Sequence, residues 1–319
     1  MMRTSAWGLV LGAVLGLAGC GWLDGFHGYQ GKVVDANGKP LAGVAIASGR
    51  AATLSGEDGS FSLADSRGGV TFRKVRYQAR EVDPGAGASV VLKASEQPVS
   101  VVWDERWQSP AMNGVITYLQ GKGFSIQRVR QGELPTGREV YVLPSPAWFN
   151  QEAYQAYLRL ASEGAKLLVL GEWGGYDGVD FDACNSLASQ AGISFVPAAV
   201  RVYGTGIGGA GMPDEWLTLR RFESASLASG LSQGIRLFTA GVLEVKDPAR
   251  ALLRTGEDAF RIQAWSGGPQ IVAAAGPLGR GSLVALSDTS LFTDENAPDG
   301  TAHHRVLDNQ AFAVNLLEY

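Results

Sequence analysis

Acidic side chains stand directly after several short apolar segments of this sequence. They are Asp104, Glu105, Glu172 and Asp288. If those segments are parallel strands, their carboxyl ends lie at one edge of a sheet, where open α/β sheets bind ligands. Together with His303 or His304, the carboxylates could hold a divalent metal or act as an acid/base pair. The alternative is that each carboxylate caps a helix or orders a loop.

Nucleophilic side chains are few. Cys184 would need a depressed pKa and a nearby histidine, and it lies within a helical pattern, so we interpret it as a buried, inert thiol. Ser145 lies between two prolines and Ser287 precedes Asp288, yet neither belongs to a Gly-x-Ser-x-Gly elbow. The glycine-rich residues 204–211 are not flanked by a clear strand and helix, which favours a flexible loop over a dinucleotide site.

Tryptophans also fall near the same strand ends. They are Trp103, Trp107, Trp148 and Trp173. Such rings could line a cleft for a sugar or a peptide, or they could simply cover the sheet.

The segment that would position Glu172 and Trp173 is residues 167–170, a continuous apolar run that is typical of a central parallel strand. A helix capped by Asn150 and ended by Gly164 precedes it, and a helix over 181–191 follows. Strands that alternate with helices predict a flavodoxin-like, doubly wound, mostly parallel sheet over residues 99–319.

Two further helix starts follow from local signals. Ser109-Pro110 predicts a helix that begins there and runs to about Lys122, and Asp308 predicts the cap of a last helix.

The preceding residues, 30–94, have a different pattern. Short β-type segments alternate with turns, which predicts a small β-sandwich. The turn residues 37–40 predict a hairpin between the first two strands. Residues 95–98 are the expected linker, so the chain combines a sandwich with a larger α/β domain.

Residues 1–19 have the features of an export signal: a positive start at Arg3, an apolar segment too short to span a bilayer, and small residues after it. An ordinary signal peptide or a short buried helix are the alternatives for this segment. The formal net charge is -4, with no basic run interleaved with aromatics, so nucleic acid is not an expected partner.

Two resemblances concern the first part of the chain. The sequence Leu17-Ala18-Gly19-Cys20 resembles the lipobox of bacterial lipoproteins, which implies cleavage before Cys20, lipid on its sulfur and residues 20–29 as a tether to the membrane. Residues 30–94 resemble the carboxypeptidase regulatory-like domain, a transthyretin-like sandwich that implies an accessory or spacer role. The residues that carry the second resemblance are Gly31, Val33, Asp35, Gly38, Pro40, Leu41, Gly43, Val44, Thr53, Asp58, Gly59 and Phe61.

Residues 99–319 are similar to the class I glutamine amidotransferase-like fold, in particular to its non-enzymatic branch in bacterial envelope proteins. The segments that carry this similarity are 101–104, 164–170, Asn185, 279–288 and 308–309. Members that are enzymes place a nucleophilic cysteine in a strand-to-helix elbow. Here Gly171-Glu172-Trp173 follows the strand instead.

We therefore expect a lipid-anchored protein on the exported side of the cell envelope that acts as a non-catalytic binding or assembly module. Its partners would be the membrane, through Cys20, and an envelope protein or glycan, with no metal or cofactor. The alternative is an envelope hydrolase that uses the carboxylates at the strand ends. The candidate ligand-binding residues are Asp104, Glu105, Glu172, Trp173 and Asp288.

Overall fold

The computed structural model describes residues 28–66, 68–84, 89–106, 110–146, 150–175, 180–202, 216–261 and 266–319. Cys20, Trp107, Trp148 and the loop 204–211 lie outside these residues. Within the described ranges, no helix combines the length and the apolar character needed to cross a bilayer.

The first strands form two small sheets packed face to face. The strands are β1 (Tyr29–Asp35), β2 (Ala45–Ser48), β3 (Ala51–Leu54), β4 (Ser60–Leu63), β5 (Val70–Arg73), β6 (Arg80–Val82) and β7 (Ser89–Leu92). One sheet has the order β4-β1-β7 and the other β3-β2-β5-β6. Alternate residues of β4 and β7 point inward, and Val33, Ile46, Phe61 and Phe72 fill the space between the sheets. The predicted β-sandwich is confirmed.

The predicted hairpin between the first two strands is wrong. β1 pairs with β4 and β7, whereas β2 pairs with β3 and β5, so the turn at 37–40 leads from one sheet to the other. Only Val34 and Pro40 form an isolated bridge across it. Buried Leu41 and Val44 explain the crossing, because the connection itself enters the sandwich core.

The described residues from Val99 onward form the α/β domain. Its strands are β8 (Val99–Asp104), β9 (Phe124–Val129), β10 (Val140–Pro144), β11 (Lys166–Leu170), β12 (Ile193–Val196), β13 (Val200–Val202), β14 (Thr218–Leu219), β15 (Ile235–Arg236), β16 (Val242–Val245), β17 (Arg250–Arg254), β18 (Ala259–Arg261), β19 (Ser266–Gly267), β20 (Ile271–Leu278) and β21 (Gly281–Leu286). Its helices are α1 (Asn113–Gly121), α2 (Gln151–Ser162), α3 (Phe181–Ala188) and α4 (Asn309–Glu318). Short 3-10 turns cover Ser189–Ala191, Ser290–Phe292 and His303–Arg305.

The main sheet of this domain has the order β12-β16-β20-β21-β11-β10-β8-β9, with β17 also paired to β20. The run β9-β8-β10-β11-β21 is parallel, and the strands beyond it pair antiparallel. Helices α1 and α4 cover one face through residues such as Leu119 and Phe312, and α2 and α3 cover the other through Tyr157 and Leu187. The predicted flavodoxin-like, doubly wound, mostly parallel sheet is confirmed.

Several helix ends match the sequence signals. Asn150 Oδ1 accepts a hydrogen bond from Ala153 N at 3.0 Å and caps α2. Gly164 and Gly192 have φ values of 102° and 78°, the left-handed conformation in which glycine is favoured after a helix.

Two predicted helix starts are wrong in detail. Helix α1 begins at Asn113 rather than at Pro110, and the distant Asp294 caps it by accepting hydrogen bonds from Asn113 N and Gly114 N, both at 2.8 Å. Asp308 does precede α4, but its carboxylate accepts from Gln233 N and Gly234 N instead of from the helix.

The sandwich packs directly against the α/β domain. Lys74, just after β5, donates hydrogen bonds to the main-chain oxygens of Glu318 and Tyr319 at 2.9 and 2.7 Å, and Arg76 pairs with the Glu318 carboxylate. Gly43 has φ 67°, and a Cβ there would lie 2.5 Å from the oxygen of Tyr319. The end of α4 therefore fits closely into the sandwich.

Candidate functional site at the carboxyl edge of the parallel strands

The strand register explains which carboxylates meet. Leu170 and Leu286 are the last paired residues of the parallel strands β11 and β21. Glu172 and Asp288 each lie two residues beyond them. Because neighbouring parallel strands end side by side, the two carboxyl groups emerge at the same place on the edge.

Glu172 and Asp288 form a buried acidic pair. Their exposed fractions are 2% and 0%. Ser290 Oγ donates to Glu172 Oε1 at 2.9 Å, and Phe238 N donates to Asp288 Oδ2 at 2.5 Å. The other two oxygens, Glu172 Oε2 and Asp288 Oδ1, are buried without a well-aligned hydrogen-bond partner in the described residues. A pair of ionised carboxylates in this setting would be costly, because charges need partners when water is excluded.

The acidities of the pair follow from this environment. Burial raises the pKa of Asp288 to about 7. Burial, followed by the charge of Asp288, raises the pKa of Glu172 well above its ordinary value. At neutral pH the pair therefore holds at least part of a proton, as expected for two acids in one dry site.

His303 contacts two residues that bond to this pair, Ser290 and Phe238. Its Nδ1 is 3.2 Å from the carbonyl oxygen of Ser290, and its ring stacks on Phe238 with centroids 3.7 Å apart. A carbonyl oxygen only accepts, so Nδ1 carries the proton in this contact. Nε2 is then an acceptor, and it is buried without a partner in the described chain. Burial lowers the pKa of His303, so the ring is neutral at neutral pH.

Asp104 and Glu105 lie at the same edge but in separate ion pairs. Fully buried Asp104 accepts from Arg106 Nε at 2.9 Å and Nη2 at 2.8 Å, and the Tyr157 hydroxyl donates to Oδ2. Burial alone would lower the pKa of Arg106, but the hydrogen bonds and charge of Asp104 raise it overall. Glu105 accepts from Arg128 Nε at 2.8 Å and Arg130 Nε at 3.1 Å. Since β10 and β11 lie between β8 and β21, strand spacing alone separates these acids from Asp288 by well over 10 Å.

The serine hydroxyls at this edge join strand ends to one another. Ser145, whose φ is 45°, donates to Thr289 Oγ1 at 2.9 Å, and Thr289 donates to the oxygen of Gly171 at 2.9 Å. Ser287 donates to the oxygen of Gly241 at 2.9 Å. These bonds hold the turns after β10, β11 and β21 in place, which is a structural use of the hydroxyls.

Cys184 is buried within α3, as the helical pattern predicted. Burial raises the pKa of its thiol above the ordinary value, so the nucleophilic thiolate is disfavoured. No group of three or more His, Cys, Asp or Glu side chains within the described ranges is arranged to hold a metal ion.

The aromatic side chains divide in a way that the sequence did not predict. Trp103 is 2% exposed and belongs to the core, and Trp173 is partly exposed beside Glu172. Trp216 packs edge-on against Phe238, with ring centroids 4.9 Å apart, and against His303. Trp216 and Phe238 were missed because residues 198–265 show no clear periodicity. Ser290 was missed as well. Only the position of Ser290, two residues after Asp288, was a usable signal.

Comparison with known proteins supports the architecture. No family model matches this sequence, and no curated protein is similar to it at a significant level. Among solved structures, the N-terminal domain of mmIFT52 has a TM-score of 0.53 and 16% identity over 67% of this chain and 94% of that domain. A ThuA-like protein from Parabacteroides merdae has a TM-score of 0.43 and 11% identity over 70% of this chain and 88% of its own. A cytoplasmic protein from Salmonella typhimurium LT2 has a TM-score of 0.44 and 9% identity over 68% of this chain and 98% of its own.

These identities are low, so the similarity to the mmIFT52 domain concerns the fold alone. The chain is thus a β-sandwich joined to a flavodoxin-like α/β domain.

Proposed function

We propose that this protein is an exported lipoprotein, anchored through Cys20, whose glutamine amidotransferase-like domain is a non-catalytic binding or assembly module. The observation that carries the proposal is the burial of the acidic pair. Glu172 stands where enzymes of this fold place a nucleophile, and it is 2% exposed beside an equally buried Asp288. A substrate could not reach either carboxylate without a rearrangement of the edge.

The remaining groups favour the same role. Asp104 and Glu105 are engaged by arginines, and the thiol of Cys184 is enclosed by the helical layer. Side chains that are held in this way stabilise turns and a fixed surface. A fixed surface suits recognition of an envelope protein or glycan, because little ordering entropy is lost on binding.

Membrane anchoring and partner capture test this proposal together. We expect the wild-type protein, produced in a bacterial host, to sediment with membranes and to incorporate labelled palmitate, and Cys20→Ser to do neither. Several lipid chains on one cysteine anchor a protein firmly through their buried CH₂ groups, so loss of the acylation site should release most of the protein.

Crosslinking in intact envelopes should then capture one partner in a constant ratio to the wild-type protein. Cys184→Ser is the matched control, since it removes the other cysteine. Equal membrane association of wild type and Cys20→Ser would contradict the anchor, and the absence of any specific crosslinked partner would contradict the assembly role.

The acidic pair itself favours a second candidate, an envelope hydrolase. A protonated carboxyl with a raised pKa can act as a general acid while its neighbour acts as a base. His303 contacts Ser290, which bonds to Glu172. If this is the function, purified protein should hydrolyse an envelope ester or amide, and both Glu172→Gln and Asp288→Asn should lower turnover by at least about 100-fold. Turnover that survives both substitutions would exclude the pair as the catalytic groups. Glu96→Gln, at an exposed position between the domains, is the control.

A further inference from the structure

A cavity lies at the junction of the two domains, at the opposite edge of the sheet from the acidic pair. Its volume is about 200 Å³. It opens at the amino ends of β10, β11 and β21, and its lining combines Arg73 and Lys74 from the sandwich with Arg138, Glu139 and Lys166 from the α/β domain. This space is large enough for several waters or for one small ion with a partial water shell.

The lining carries an excess of positive charge. Arg73, Lys74, Arg138 and Lys166 contribute cations, and Glu139 and Glu163 contribute carboxylates. One of those carboxylates is already in use, because Glu139 Oε2 accepts a hydrogen bond from Ser100 N at 3.0 Å. The side chains of the lining therefore carry more positive than negative groups, and a bound anion would offset this excess.

The lysines are held by dipoles at the end of α4. Lys166 is 4% exposed, and its Nζ donates to the main-chain oxygens of Leu316 and Leu317. Lys74 donates to the oxygens of the next two residues. Burial lowers the pKa of Lys74 to about 8 and that of Lys166 well below its ordinary value. Keeping both ammonium groups charged is thus costly, and a neighbouring anion would reduce this cost.

Arg73 lines this space and has a donor without a protein acceptor. Its Nε is buried and lacks a hydrogen-bond partner in the described residues. Burial, and then the like charge of Arg280, lower the pKa of Arg73. The guanidinium fork is the side chain best suited to bind planar or tetrahedral oxyanions.

We propose that this cavity is a binding site for a phosphate-sized oxyanion, either a free phosphate or the phosphate group of a larger molecule. Arg73 and Lys74 on one domain and Lys166 on the other would share the anion. Binding would therefore strengthen the contact between the sandwich and the α/β domain. The site is independent of the function proposed for the opposite edge.

Calorimetric titration of the full-length protein with inorganic phosphate, and separately with glycerol 3-phosphate, tests the site. We expect saturable binding at one site per chain and an increase in Tm with phosphate concentration. Arg73→Gln should weaken binding at least tenfold, which corresponds to about 1.4 kcal/mol. Arg50→Gln makes the same charge change at an exposed turn of the sandwich and should leave binding unchanged.

The two probes distinguish the source of the anion: tighter binding of inorganic phosphate indicates a free ion, and tighter binding of the ester indicates a group on a larger molecule. If Arg73→Gln does not fold, Arg138→Gln replaces it as the test, because Arg138 is exposed at the rim of the cavity. We expect Arg138→Gln to bind phosphate more weakly than Arg50→Gln does. No saturable binding by either probe at millimolar concentration, or an equal loss in Arg50→Gln, would overturn the proposal.

Discussion

Asp104→Ala is expected to lower the free energy of unfolding by about 3–5 kcal/mol, the usual effect of removing one member of a buried ion pair. Asp104 is fully buried and accepts from Arg106 and from the Tyr157 hydroxyl. The substitution leaves the Arg106 guanidinium without its carboxylate, although the Arg106 side chain is only 16% exposed. Chemical denaturation of the two proteins measures the difference directly.

The matched control is Glu223→Ala. Glu223 also pairs with an arginine, Arg254, but the two side chains are 45% and 38% exposed. An exposed pair of this kind contributes less than about 1 kcal/mol, because water solvates both charges well. If Asp104→Ala cost no more than this control, Asp104 would not be a structural group, and a binding role at the edge would regain support.

The parts of the fold that the sequence predicted are those set by local chemistry. A continuous apolar run such as 167–170 has no stable place except inside a sheet covered on both faces, and β11 is buried throughout. Asn150 and Gly164 act on the backbone within a few residues of themselves, so their roles could be inferred without the tertiary structure.

The wrong predictions all depended on distant partners. The turn at 37–40 suits a hairpin, but buried Leu41 and Val44 draw the chain into the second sheet. Helix α1 begins where Asp294 can cap it, and Asp294 lies 181 residues away from Asn113. Local propensity could not reveal either contact.

The candidate site shows the same division. Convergence of Glu172 and Asp288 followed from the general rule that parallel strands end at one edge. Their burial did not follow, because Phe238 comes from a segment without a recognisable pattern. The contacts that Ser290 and His303 make there depend on the tertiary structure. The second contact of Asp104 was also hidden, since Tyr157 lies 53 residues further along the chain.

The second large effect concerns pH. Between about pH 4 and pH 7, the wild-type protein should lose stability through the acidic pair as the pH rises. The folded state holds a proton that an unfolded carboxyl, with a pKa near 3.9, would release. Burial raises the pKa of Asp288 to about 7, so the favourable contribution is complete below the unfolded pKa and is lost as the pH passes through the folded value.

Asp288→Asn should remove most of this dependence. The amide oxygen can still accept from Phe238 N, and the amide carries no charge that burial would penalise. At about pH 8 we expect the variant to be more stable than the wild type by on the order of 2–4 kcal/mol, from 1.36 kcal/mol for each pKa unit. At about pH 4 the two proteins should be nearly equal. Chemical denaturation over this pH range is the measurement.

His303 has the opposite effect on stability. Its pKa is lowered in the folded state, so the unfolded state binds the proton more tightly. Stability therefore rises with pH as the unfolded form loses this proton. This contribution is present in both proteins, so it cancels in their difference.

Glu96→Gln, which removes an exposed carboxylate, should leave the pH dependence of the wild-type stability unchanged. A variant that is less stable than the wild type at about pH 8 would mean that Asp288 is ionised and stabilised in the folded protein. The edge would then contain a fixed negative charge, and recognition of a cationic ligand there would become the better explanation of the pair.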